Sequence, residues 1–164
     1  MLFLESCFID SNIFILTATN KESRKLKDFM SKVKFGEIKG YINPIVISEV
    51  FHKLATLEIK KNRRISYKEV LELIKEEPKI IKNLKTFRVI NEIISYEGIE
   101  ILEIDKETVF ETIKIAKENG LLFQDSLIAS TCKLNKIENI LTNDRDFERL
   151  EFLNVIKINW FYKA

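Results

Sequence analysis

Short apolar runs alternate along this chain with longer segments of helical period, and that alternation limits the fold more than any other feature. Residues 4–9, with Leu4, Cys7, Phe8 and Ile9, are too few for a helix and read as a buried strand. Further strand candidates are Tyr41-Ile42, the alternating residues 98–104, residues 138–142 and residues 155–158. Helical patterns fill the intervals. Strand followed by helix, repeated, predicts an α/β fold built on a parallel sheet with crossover helices. With 164 residues, 46% of them hydrophobic, and no repeat or linker, the chain is expected to be a single domain over residues 1–164.

The helices are read from period and caps. A short one covers Ile13 to Thr17, and Asn20 is expected to cap a second over residues 21–35, with Leu26, Phe29, Met30 and Val33 on its core face. Asn43-Pro44 predicts a helix starting at Pro44, with Val46, Val50, Leu54 and Leu57 as its core stripe. Ser66 and Glu69 form a capping-box pattern. Residues 78–96 read as a further helix, so residues 65–96 make a long helical stretch. Residues 106–119 form another, with Val109, Phe110, Ile113 and Ile115-Ala116 as its core side and Asn119-Gly120 as its stop. A small-residue helix follows at residues 127–134.

Four acids fall at the ends of these elements. Asp10 follows the first strand, Asp144 follows the strand at residues 138–142, and Glu49 and Asp125 stand near helix starts. In a parallel sheet, strand carboxyl ends and the following helix N-termini share one edge, which is where ligands bind. Each acid taken alone equally suits helix capping or the helix dipole. Together, that much negative charge requires protons or cations, and oxygen ligands favour Mg²⁺ or Mn²⁺. One or two such ions orient a water and stabilise the leaving oxygen of a phosphodiester.

Other chemistries lack their parts. His52 is the only histidine and lies on the Pro44 helix, no serine sits in a G-x-S-x-G elbow, and four glycines contain neither a P-loop nor G-x-G-x-x-G. The net charge of +2, from 27 basic and 25 acidic residues, does not by itself select a partner. The densest basic cluster, Lys60, Lys61, Arg63 and Arg64, lies between two helices, where a helix-ending loop needs no function, and is a candidate nucleic-acid contact. Cys7 and Cys132 have apolar neighbours and no metal-ligand spacing, which predicts buried thiols and a cytoplasmic protein, and no run is long enough to span a membrane.

The segments Phe8-Ile9-Asp10-Ser11-Asn12-Ile13-Phe14, Ile47-Ser48-Glu49-Val50, Gln124-Asp125-Ser126-Leu127-Ile128-Ala129 and Leu141-Thr142-Asn143-Asp144-Arg145-Asp146-Phe147 resemble, in this order, the PIN-domain ribonucleases that include the VapC toxins. The resemblance implies a Rossmann-like parallel sheet flanked by helices, a Mg²⁺ or Mn²⁺ site, and endonucleolytic cleavage of single-stranded RNA. It assigns Asp10, Glu49, Asp125 and Asp144 to metal binding and catalysis, with Ser11, Asn12 and Thr142 as polar supports and Asp146 assisting or replacing Asp144. Ser11 or Asn12 would cap the first helix and leave Asp10 to the ion. It also implies an antitoxin partner and a homodimer. The helical stretch at residues 65–96 exceeds that of compact members. Two other readings stand beside it: a PIN-like module that binds RNA or protein without cutting, and an aspartyl-phosphate phosphatase or receiver-like domain using Asp10, for which Asn12 stands where a phosphatase needs a second Asp.

Overall fold

The computed structural model describes residues 4–157 and Phe161. Its strands are β1 (Ser6–Ile9), β2 (Lys39–Ile42), β3 (Ile99–Ile101), β4 (Asn139–Leu141) and β5 (Asn154–Ile156). Its helices are α1 (Ser11–Ala18), α2 (Arg24–Lys34), α3 (Pro44–Arg63), α4 (Tyr67–Glu76), α5 (Thr86–Ile94), α6 (Lys106–Asn119) and α7 (Phe123–Leu134). All sheet pairings are parallel and the strand order is β3-β2-β1-β4-β5. The chain moves outward from β1 through β2 to β3, then returns to place β4 on the other side of β1. That reversal opens a crevice at the carboxyl ends of β1 and β4.

The sheet's fully buried Phe8, Ile9, Ile42, Ile140 and Leu141 pack against Ile13 and Phe14 of α1, Leu26, Phe29, Met30 and Val33 of α2, and Ile128 and Ala129 of α7. Cys7 and Cys132 are buried free thiols. Burial pushes the Cys7 thiol up to about 12 and that of Cys132 upward as well, so both remain protonated. A second, smaller cluster of Ala55, Ile59, Val70 and Leu84 joins the far half of α3 to α4 and the segment after it. Residues 65–84 of the helical stretch thus share a small core with α3 beside the sheet, while α5 packs into the main core through Ile93.

Several expectations are corrected. The helix expected at residues 21–35 starts at Arg24, because Ser23 caps it by accepting the Leu26 N–H at 3.2 Å, while Asn20 turns through a left-handed φ of 53°. Residues 78–96 are two elements, a 3-10 segment (Pro78–Asn83) and α5. The break is imposed from α3: the Glu58 carboxylate accepts the Lys85 N–H at 2.8 Å and the Thr86 N–H at 3.0 Å, capping a new helix start. Leu57 is exposed, and α3 buries Ala55 and Ile59 instead. On α6 most of the expected core side faces outward: Val109, Phe110 and Ile113 are 38%, 62% and 43% exposed, whereas Ile115 is buried as expected, together with Thr108 and Thr112. Helix α7 starts at Phe123, so Asp125 lies in its first turn. Of the last strand candidate, Ile158 lies outside the described residues.

Candidate active site

Strand register creates the centre of the site. Phe8 pairs with Ile140 and Ile9 with Leu141, so the next residues, Asp10 and Thr142, emerge side by side at the crevice. The Asp10 N–H still donates to the Leu141 carbonyl at 3.1 Å. Its side chain is 4% exposed and fully engaged: Oδ1 accepts the Ser11 N–H at 2.6 Å, and Oδ2 accepts the Thr142 hydroxyl at 2.7 Å and the Asn12 amide at 3.2 Å. Asp10 is itself the N-cap of α1, so neither Ser11 nor Asn12 relieves it of that role, as had been expected. Capping orients the carboxylate rather than competing with the site.

From Thr142 the chain folds back on its own side chains. The Asp144 N–H donates to the Thr142 hydroxyl at 2.9 Å, and the Asp146 N–H donates to Asp144 Oδ1 at 2.9 Å. Across the crevice stands Asp125, half-buried. One carboxylate oxygen each from Asp125, Asp144 and Asp146 lies within 4.8 Å of the others, the one such group of three among the described residues. Glu49 enters from the second turn of α3. That helix is aimed by Asn43, which accepts the Val46 N–H at 3.3 Å and donates to Thr131 of α7 at 3.0 Å, tying the helices of Glu49 and Asp125 together.

The electrostatics match this geometry. Asp125 is pushed up to about 6, first by burial and then by Asp144, Asp146, Glu49 and Asp10. Asp10 is raised too, chiefly by burial, against the lowering effects of Thr142, Ser11 and Lys53. A carboxyl whose folded pKa lies above its unfolded value favours folding while protonated, and that contribution is lost as pH rises through about 4 to 6. Metal-free wild type should therefore lose melting temperature between pH 5 and pH 7 relative to Asp125→Asn, and Mn²⁺ should raise the wild-type value more at pH 7 than at pH 5. Thermal scans in chelator and in Mn²⁺ check this; parallel pH curves for the two proteins would refute it.

A protein-family model described as the PIN domain matches residues 7–153. This chain belongs to the PIN domain family. The PIN domain is 42% identical over 154 residues to Ribonuclease VapC2 of Methanocaldococcus jannaschii, covering 92% of this chain and 93% of that protein. It is 29% identical over 162 residues to Ribonuclease VapC6 of the same organism, covering 92% and 95%. Among solved structures, VapBC2 from Rickettsia felis bound to a promoter DNA fragment superposes with a TM-score of 0.59 at 17% identity, covering 93% of this chain and 98% of that one. DNA-bound VapBC from Salmonella typhimurium gives 0.59 at 18% identity, covering 95% and 99%. These two likenesses are of fold.

Of the four expected acids in this PIN domain, Asp125 and Asp144 bring carboxylate oxygens within 4.8 Å of each other, Asp10 is linked to Asp144 through the Thr142 hydroxyl, and Glu49 is near enough to act on Asp125 through its charge; Ser11, Asn12 and Thr142 are hydrogen-bond partners of Asp10 or Asp144. Asp146, expected only to assist or replace Asp144, belongs to the tightest carboxylate group. Two cations were missed. Lys53 lies one turn beyond Glu49 on α3, with Nζ 3.5 Å from Asn12 Oδ1. Arg149 pairs with Asp146 Oδ1 at 2.8 Å and donates to the Gly120 carbonyl at 2.9 Å, bracing the turn before Asp125. Spacing held both signals, since i,i+4 and i,i+3 residues share a helix face. The expected RNA contacts Lys60, Lys61 and Arg63 occupy the exposed last turn of α3, with Arg64 as its left-handed C-cap, not a loop between helices. At 1.5 Å per residue Lys60 to Arg63 lie about 16 to 21 Å along α3 from Glu49, outside the acidic site.

Proposed function

We propose that this PIN domain is a metal-dependent endoribonuclease that hydrolyses phosphodiesters of single-stranded RNA, acting in the cytoplasm as the toxin of a toxin–antitoxin pair. The observation that carries the reading is the convergence of Asp125, Asp144 and Asp146, with oxygens within 4.8 Å, beside an Asp10 joined to them through Thr142. Support comes from the names of the relatives, Ribonuclease VapC2 and VapC6, and from a donor set made wholly of oxygen. No described helix is long and apolar enough to cross a membrane.

The residues fit a divalent ion. Burial first, and then the charges of Asp144, Asp146, Glu49 and Asp10, raise Asp125 to about 6, so these carboxylates need positive charge to ionise together at neutral pH. Asp10, Asp125 and Asp144 would hold Mg²⁺ or Mn²⁺, with Asp146 and Glu49 beside them. Such an ion, when bound, supplies a more acidic water and charge stabilisation for the phosphodiester. The chain's own groups do the rest. Thr142 locks Asp10 and Asp144 in mutual register through one hydroxyl, and Arg149 holds Asp146 against the turn leading to Asp125. Glu49 completes the site or positions the attacking water.

The phosphoacceptor reading of Asp10 is disfavoured, because a carboxylate 4% exposed that already accepts three hydrogen bonds has little room for in-line attack on a phosphodonor, whereas its remaining lone pair can still meet an ion. We further propose a single functional unit over residues 1–164, a homodimer, and an antitoxin partner. The exposed stripe of Val109, Phe110 and Ile113 supports a covered protein surface. The decisive assay follows a labelled single-stranded oligoribonucleotide with Mn²⁺ or Mg²⁺ and with chelator. Internal cleavage that needs the ion is expected; intact RNA in all three conditions would instead favour the non-cutting PIN-like binder.

A further inference from the structure

Lys53 is placed as no structural residue needs to be. It is exposed on α3 one turn from Glu49, and its ammonium sits 3.5 Å from Asn12 Oδ1, at the outer limit of a hydrogen bond. A lysine ammonium has three donors, and this contact uses one of them weakly. Arg149, a second cation at the site, is already engaged by Asp146 and the Gly120 carbonyl. The four-residue offset from Glu49 also keeps Lys53 on the same side of α3 as that acid. A polyanion approaching these carboxylates meets repulsion unless a cation stands where its backbone must pass.

We propose that Lys53 is the substrate clamp of this site, its ammonium leaving Asn12 to pair with a non-bridging oxygen of an RNA phosphate that approaches the acids past Asn12. This inference rests on the ribonuclease reading and adds to it a residue that grips substrate. Asn12 then has two tasks: its amide nitrogen steadies Asp10, and its amide oxygen parks Lys53 at the mouth until RNA arrives. The basic end of α3 is separate, about 10 to 15 Å from Lys53 by helical rise.

The test measures steady-state cleavage of a single-stranded oligoribonucleotide in Mn²⁺ across a series of potassium chloride concentrations, for wild type, Lys53→Met and Lys53→Arg. Mn²⁺ binding to the same proteins is followed by calorimetry. Lys53→Met should raise KM roughly fivefold to tenfold with kcat nearly unchanged. Its log–log salt slope should be shallower by about 0.7, the loss of one phosphate contact to a single strand. Lys53→Arg should recover most of the affinity, and Mn²⁺ affinity should be equal or tighter without the nearby cation. Unchanged KM and salt slope overturn the proposal. So does a loss confined to kcat or accompanied by weaker Mn²⁺ binding, since Lys53 would then only balance the charge of Asp10. If wild type leaves RNA intact, the ribonuclease reading itself fails; if wild type cuts and Lys53→Met matches it, only the clamp does.

Discussion

Asp10→Asn should lower RNA cleavage on the order of 100-fold or more while leaving the fold intact. Loss of groups that merely orient a metal's ligands costs about 10- to 100-fold, and Asp10 is assigned as a ligand itself. The structural cost is small for a specific reason. Asparagine keeps one oxygen to accept the Ser11 N–H, and its Nδ2 turns toward the Thr142 hydroxyl, which already accepts the Asp144 N–H. An oxygen with two lone pairs takes both donors, leaving the buried Thr142 proton and the part-buried Asn12 amide, which can turn toward water, without their former acceptor. Against that cost of about 1 kcal/mol stands relief of a carboxylate whose burial raises its pKa. The metal-free variant should therefore melt within about 4 °C of wild type. Loss of activity together with cooperative melting far below wild type would mean that Asp10 serves the fold, and full activity would remove it from the site. Mn²⁺ should also stabilise the variant less than wild type, which a structural cap alone would not predict.

The site was more legible than the packing around it. Asp10 and Asp144 could be placed because a strand's carboxyl end fixes where the following residue goes, and Asp125 because a helix start shares that edge. Asp146 was undervalued because its role comes from a backbone fold-back, with its N–H on Asp144 Oδ1, that no period or cap signal encodes. The inverted face of α6 has a different cause. Hydrophobic periodicity assigned Val109, Phe110 and Ile113 to the core, whereas α6 lies against α7 through small polar residues. The Thr112 and Ser130 hydroxyls are 2.7 Å apart, and Thr112 also donates to the Thr108 carbonyl. Satisfied threonines can be buried without penalty, so the apolar side was free to face outward. The break at residues 84–86 was invisible for a third reason, because its cap, Glu58, comes from another helix.

The second large effect is expected far from the acids, at Gly98. Its N–H donates to the Val33 carbonyl at 3.0 Å and its own carbonyl accepts the Gly40 N–H at 2.8 Å, so this residue is where the end of α2 is fastened to the strand pair β2–β3. A methyl group there would sit 2.4 Å from both the Ile38 and Val33 carbonyl oxygens. Both obstacles are backbone, so no rotamer change removes them. Overpacking of this kind costs roughly 3 kcal/mol, about 6–12 °C in a chain of this size. Gly40 provides the control. Its Cβ would meet the Ile9 Cδ1 at 2.6 Å and the Ile99 Cδ1 at 3.0 Å, side-chain tips that can turn aside. Gly98→Ala should thus melt well below Gly40→Ala, and both below wild type, while the molecules still folded cut RNA at the wild-type rate. A Gly98→Ala protein that melts with wild type would show that α2 and β3 can separate without cost. The consequence for function is indirect but physical: β2 leads through Asn43 into α3, so this junction helps hold Glu49 and Lys53 at the mouth of the site.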